Sequence, residues 1–178
     1  APSGRSITVP GFYMVDFAAQ TLPAGQVLHP GGTQGWRVRF TPAETGIYHY
    51  ELTARDSSGT TTGAAGSFEA VPSENPGFIR TSSRDPHYFA FDNGTSYFPI
   101  GHNLPSYAIT GQTAEQALRT MAAAGENYNR PWMSSYTGLG IEWEHALGWY
   151  RQDEAWRVDE MLRLGQELGM YFMLCMDT

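Results

Sequence analysis

The sequence predicts an α/β chain with an all-β N-terminal part, and three observations carry that expectation. Up to about residue 76, short runs that alternate apolar and polar residues are cut by Gly, Pro and Ser, the period-two pattern of half-buried strands. Beyond that point apolar strand alternates with amphipathic helix, the order that builds a parallel sheet. Between the two regimes lies Tyr88 to Tyr107, YFAFDNGTSYFPIGHNLPSY. There Asn93-Gly94 separates two apolar-rich runs, the strongest short signal for a two-residue hairpin turn.

Taken in order, Ile7 to Phe17 reads as an interior strand. Trp36, Val38 and Phe40 alternate with Arg37 and Arg39, which predicts a strand with those three side chains inward. Thr41 to Gly46 is a turn, and Ile47 to Leu52 resumes the alternation with Tyr48, Tyr50 and Leu52 on one face. Gly46-Ile47-Tyr48-His49-Tyr50 is similar to the tyrosine corner of immunoglobulin-like sandwiches, without the cysteine that follows it in antibodies. Arg55 to Gly66, rich in Ser, Thr and Gly, reads as a loop. Phe68 and Ala70 open a last strand, and Val71 to Gly77 is the linker. Four or five strands fall short of the roughly seven of such a sandwich, so either the module is small or its first strands lie upstream of Ala1. The expected domains are therefore 1–76, a β-sandwich, and 77–178, the α/β part.

In the second part Tyr97 to Gly101 is a strand arriving from the hairpin. Thr113-Ala114-Glu115-Gln116 is a capping box, Ala117, Leu118, Met121 and Ala122 form the apolar stripe of the helix it starts, and Gly125 stops it. Glu126 to Met133 is a second strand, short and polar, whose ladder is expected to fade at Pro131. A loop from Ser134 to Arg151 leads to a helix capped by Asp153, with Ala155, Val158, Met161, Leu162, Gly165 and Leu168 at helical spacing up to Gly169. Met170 to Met176 is a third strand, apolar on both faces, as a strand covered on both sides requires. This succession opens either a doubly wound sheet or a (β/α)8 barrel. The first strand is not followed by a G-x-G-x-x-G turn, and Leu104 to Gln112 intervenes before the helix; both features favour the barrel.

Composition removes whole classes of chemistry. The 18 acids outweigh 11 bases for a net charge of −7, which argues against a phosphate-tracking nucleic-acid binder. Every base is Arg, so there is no Walker lysine and no Schiff-base lysine. A single cysteine excludes an internal disulfide and a thiolate cluster, and Cys175, inside an apolar run, reads as a buried small hydrophobe. The histidines lack metal-ligand spacing, so neither metal nor cofactor is expected. No apolar run reaches the length of a membrane span. No signal peptide precedes Ala1, so an export signal has been removed or never existed. Asn93-Gly94-Thr95 is a formal glycosylation sequon in a tight turn, a poor acceptor position.

Phe98-Pro99-Ile100-Gly101-His102-Asn103-Leu104 after an Asn-Gly hairpin, then Asn127-Tyr128-Asn129-Arg130-Pro131-Trp132, then Met173-Leu174-Cys175-Met176-Asp177, resembles the first three strands of clan A glycoside hydrolases, the retaining (β/α)8 enzymes. The Trp36 to Tyr50 block resembles the immunoglobulin-like module that precedes such barrels in several polysaccharide-degrading enzymes. The resemblance implies an immunoglobulin-like β-sandwich followed by the first βαβαβ portion of a (β/α)8 barrel, in a secreted enzyme cleaving glycosidic bonds of a polysaccharide or oligosaccharide. It places the site at the C-terminal ends of the strands, on His102, Asn103, Arg130, Trp132 and Asp177.

Each of those residues has a plainer reading beside the functional one. Arg130 can hold a carboxylate in a two-pronged pair and keep it ionised, or be a structural ion pair. Trp132 can face a sugar ring or simply pack. Asn103 and Asp177 can bond hydroxyls or cap strand ends, and His102 can be a satisfied core group. Retaining cleavage needs two carboxyls about 5 Å apart, which the resemblance assigns to the fourth and seventh strands. Glu142 and Glu144, two apart in a loop, lack the rigid support such a pair needs. The stretch from Tyr88 to Thr178 is far shorter than the about 250 residues of a whole barrel. The chain is therefore expected to be a portion of a longer enzyme, inactive alone, with the remainder of the barrel as its partner. The rival from another class is a non-catalytic carbohydrate-binding or structural module with Trp132, Trp143, Trp149 and the tyrosines as its platform. An open-sheet enzyme of unrelated chemistry is a third reading, which a bound nucleotide would reveal.

Overall fold

The computed structural model describes residues 1–22, 25–104, 112–142 and 147–176. Strands β1 (Phe12–Leu22) and β2 (Gly25–Arg37) form a two-stranded sheet. The first expected strand therefore starts at Phe12, not Ile7. Trp36, expected inward, is 77% exposed, with Tyr13 edge-on to it at 6.0 Å. Val38 and Phe40 lie beyond the end of β2 and stay partly exposed. Alternation reports which side chains share a face; it does not report whether anything covers that face.

Strands β3 (Gly46–Asp56) and β4 (Gly59–Ala70) form a long antiparallel hairpin, paired from Gly46↔Ala70 to Asp56↔Gly59 with one irregularity between Glu51 and Thr53. The Ser, Thr and Gly run expected to be a loop is thus most of a strand. Its turn is closed by Asp56, whose Oδ1 accepts the N–H groups of Ser58 (2.8 Å) and Gly59 (3.2 Å), an Asx turn that needs no apolar residue. Packing gathers at one end of the hairpin. Tyr48 is buried, stacks on Phe68 at 5.2 Å and meets Phe40 edge-on at 5.5 Å. Its hydroxyl accepts the Glu44 N–H at 3.0 Å, four residues upstream, the bond that defines a tyrosine corner.

Strands β5 (Ile79–Thr81), β6 (Phe89–Phe91) and β7 (Ser96–Tyr97) form the next sheet, in that order. The hairpin signalled by Asn93-Gly94 is present, with a three-residue loop instead of two. Gly94 N–H donates to Phe91 O and Phe91 N–H to Thr95 O, both at 2.8 Å. Gly94 takes φ +84°, so the glycine supplies the left-handed residue that ends such a loop.

The C-terminal half carries a parallel sheet of three strands, β8 (Gly101–His102), β9 (Tyr128–Asn129) and β10 (Tyr171–Phe172), with β9 central. Helix α1 (Ala114–Ala123) joins β8 to β9 and helix α2 (Gln152–Leu168) joins β9 to β10. Both bonds of the Thr113/Gln116 capping box are made, and Gly125 and Gly169 follow the two helices with positive φ, as expected. At the start of α2 the N-cap is Arg151, not Asp153; Asp153 sits in the first turn and takes the Arg151 guanidinium at 2.7 Å. A carboxylate there still meets the positive end of the helix dipole. Leu162, expected in the stripe, is 42% exposed, and Leu164 is buried in its place.

The core of this half is built from Ala117, Leu118 and Met121 of α1, Met161 and Leu164 of α2, Leu139 and Met170. Leu104, Phe172 and Leu174 pack against it from the sheet, so one face of the sheet lies under both helices. Gly165 lets α2 approach the sheet: a Cβ there would overlap the Phe172 ring. The result is a mixed α/β chain, antiparallel hairpins first and then a three-stranded parallel sheet with two helices, and the described strands do not close into a barrel. The chain gathers into two compact units, Ala1–Phe12 with Arg37–Ser96, and Tyr13–Trp36 with Tyr97–Thr178. Among the described residues no helix is long and apolar enough to cross a membrane.

Candidate functional site at the ends of the parallel strands

The geometry of the parallel sheet begins with two asparagines. Asn127 Oδ1 accepts the Ile100 N–H at 2.8 Å while its Nδ2 donates to Phe98 O at 3.0 Å. Asn129, fully buried, accepts the Leu104 N–H through Oδ1 at 3.1 Å. These carboxamides stand where backbone groups would complete the ladder between β8 and β9, which explains why the second strand is so polar. No sequence signal beyond that polarity marked them.

Between β9 and β10 the ladder runs further than the paired dipeptides suggest. Tyr171 N–H donates to Asn127 O, Met173 N–H to Asn129 O and Cys175 N–H to Pro131 O, and Met133 N–H returns to Cys175 O, at 2.8 to 3.1 Å. The expected fading at Pro131 does not occur. Proline lacks only the donor, and its carbonyl still takes the Cys175 N–H.

This register sorts the site residues by face. Tyr128 pairs with Tyr171 and Gly101, and Trp132 bridges to Cys175, so the two-residue alternation puts Asn103, Tyr128, Arg130, Trp132, Tyr171, Met173 and Cys175 on the side away from the helices. His102, in register with Asn129 and Phe172, falls on the other side. The parallel sheet thus brings together three of the five expected residues, Asn103, Arg130 and Trp132. His102 is engaged elsewhere: its Nδ1 lies 2.8 Å from Glu126 Oε2. Asp177 lies outside the described residues, as do Trp143 and Glu144.

The side away from the helices is open. Arg130 and Asn103 are exposed, Met173 is 51% exposed, and Tyr128, Trp132, Tyr171 and Cys175 are half-buried. Among the described residues Arg130 meets no carboxylate; its Nε donates to Cys175 Sγ at 2.9 Å. Cys175 is accordingly not the buried hydrophobe expected, but a half-buried thiol facing a cation. Trp132 is fixed through its backbone, since Thr137 Oγ1 donates to its carbonyl at 2.6 Å, and Tyr136 meets its ring edge-on at 6.4 Å. At the opposite end of the strands Tyr97 is buried edge-on to Tyr171 at 5.2 Å and donates to Asn127 O. Burial, with Tyr171 and Tyr128 adding to it, pushes its phenol up to about 12.

At the start of α2, Arg151 pairs with Asp153 and with the buried carboxylate of Glu154, Nη1 to Oε1 at 3.1 Å. Glu142 accepts the Gly148 N–H at 2.7 Å, which makes it a loop brace. Among the described residues, no three of His, Cys, Asp and Glu gather as a set that could hold a metal ion. A planar cation, an indole and an amide along one edge can bind a polar, ring-shaped ligand; they do not by themselves supply an acid and a nucleophile.

Residues 1–55 match a family model described as Domain of unknown function (DUF5060). No curated protein and no solved structure matches the chain.

Proposed function

We propose that this chain is part of a secreted glycoside hydrolase that cleaves glycosidic bonds of a polysaccharide by a retaining, two-carboxylate mechanism. Residues 1–76 are an immunoglobulin-like module in this reading, and residues 77–178 are the first βαβαβ portion of a (β/α)8 barrel. The observation that carries it is the two-sided parallel sheet: helices cover one face, while Asn103, Arg130 and Trp132 line the end of the other, where such barrels place their ligands. The Tyr48 to Glu44 bond supports the first module. Further parallel strands would cover the Tyr128, Tyr171 and Met173 face and bring the two glutamates about 5 Å apart. Arg130 would then hold one of them ionised, with Asn103, Trp132 and Asp177 contacting sugar.

The complete gene product and the 178-residue chain are to be assayed on a panel of aryl glycosides and polysaccharides. Hydrolysis by the complete product, with retention at the anomeric carbon and none by the chain alone, is the expected result. Binding without hydrolysis by the complete product removes this reading and leaves the alternative, a non-catalytic carbohydrate-binding module. The exposed indoles of Trp36 and Trp149 favour that alternative.

A further inference from the structure

A second place in the fold has the chemistry of a ligand site. A cleft of about 320 Å³ opens beside the β5, β6 and β7 strands, with Arg80, Thr81, Ser82, Ser83, Arg84 and Asp92 in its wall. Two cations and one acid stand here in a chain whose net charge is −7.

The two arginines are not equivalent. Arg80 Nε donates to Asp92 Oδ1 at 3.0 Å, and its guanidinium lies over the Phe78 ring at 5.3 Å. Asp92 also accepts the Phe78 N–H at 2.9 Å, so Arg80 and Asp92 brace the turn. Arg84 is exposed, and among the described residues its guanidinium has no carboxylate partner. The neighbouring acid, Asp85, is taken up by His87, through the backbone N–H at 3.0 Å and the ring at 2.8 Å. Ser82 Oγ accepts the N–H of Arg84 at 3.2 Å, which leaves its own proton to donate outward.

We propose that this cleft binds a sugar that carries a carboxylate, a uronate unit. Arg84 takes the carboxylate, and the hydroxyls of Thr81, Ser82 and Ser83 take the ring hydroxyls. A guanidinium matches a carboxylate with two parallel bonds, where an ammonium offers only a point charge. The volume lies at the low end of small-molecule sites, about 300–1,000 Å³, enough for one sugar ring and wasteful for a bare oxyanion. The inference needs no bond cleavage and no residue of the parallel sheet, so it stands or falls apart from the proposed hydrolase.

The test is calorimetric titration of the 178-residue chain with glucuronate, glucose and sulfate. Glucuronate is expected to bind at least tenfold more tightly than either. Arg84→Gln is expected to bring glucuronate down to the level of glucose, and Ser83→Ala to weaken it several-fold, both with an unchanged circular dichroism spectrum. The proposal is overturned by glucose binding as well as glucuronate, by sulfate matching it, by no binding of glucuronate, or by an Arg84→Gln chain that still prefers the acid. Should Arg84→Gln fail to fold, titration of the native chain with the glucuronate methyl ester decides: retained affinity sinks the carboxylate pairing.

Discussion

The β3–β4 hairpin and the β8–β9–β10 sheet hold their strands together by opposite means. The hairpin is long, pairs from Gly46↔Ala70 to Asp56↔Gly59, and buries Tyr48 alone among the residues of its two strands. The parallel sheet pairs formal strands of only two residues, yet it lies under two helices, contains fully buried Asn129 and packs against a core with Leu118 at 0% exposure. Backbone bonding and one aromatic cluster maintain the first; side-chain burial maintains the second. Because a net backbone hydrogen bond contributes about 0.5–1.5 kcal/mol and a buried large apolar side chain about 1.5–3, the two regions should respond very differently to truncation.

The largest effect is expected from Leu118→Ala, about 2–5 kcal/mol of lost stability by chemical denaturation, since it removes methyl groups from a closed core. Leu52→Ala in the hairpin and Leu162→Ala on α2, both 42% exposed, are expected to stay within about 1 kcal/mol. A Leu52→Ala loss as large as that of Leu118→Ala would erase the contrast between the regions.

Next comes Asn129→Ala, at about 1–3 kcal/mol, because it removes a fully buried carboxamide and strips a part-buried backbone donor, the Leu104 N–H, of its acceptor. The same denaturation experiment sharpens the comparison when paired with Tyr48→Phe. That change keeps the stack on Phe68 and removes only the acceptor of the Glu44 N–H, so about 0.5–1.5 kcal/mol is expected. Equal losses would mean that the buried amide is no more than an ordinary turn bond.

What could be read in the chain follows the same division. In the C-terminal half the signals of the first helix and of both helix ends agreed with the packing: Thr113 and Gln116 fixed one helix start, Gly125 and Gly169 the two ends, and Ala117, Leu118 and Met121 the buried stripe, whereas Asp153 and Leu162 of the second helix did not fall where expected. In the N-terminal half the strand from Gly59 escaped notice because its side chains are small and polar, and pairing there is carried by the backbone and by the Asx turn at Asp56. Trp36 misled for the converse reason, an apolar residue in a strand rhythm with no layer above it. Asn103, Arg130 and Trp132 were picked out because they stand where the strands run out; the alternation of faces, which sets His102 apart from them, was not used. The Asn127 and Asn129 clamps and the thiol beneath Arg130 were not legible, since each depends on a neighbour more than twenty residues away in sequence.

The smallest effect at neutral pH belongs to Tyr97→Phe, which removes a long 3.3 Å bond to Asn127 O and keeps the ring against Tyr171. Its consequence lies in alkali. The folded phenol ionises at about 12, against about 10 for an unfolded tyrosine, so between these values the unfolded chain has lost a proton that the folded chain keeps. Stability therefore falls as pH rises from about 10 towards 12. Tyr97→Phe should flatten that part of the decline, and while the native chain stays folded the tyrosinate absorbance of this ring should be delayed towards about pH 12. A Tyr97→Phe chain whose alkaline unfolding curve superimposes on the native one would show that the phenol is wetted where it meets Tyr171 and the Asn127 carbonyl.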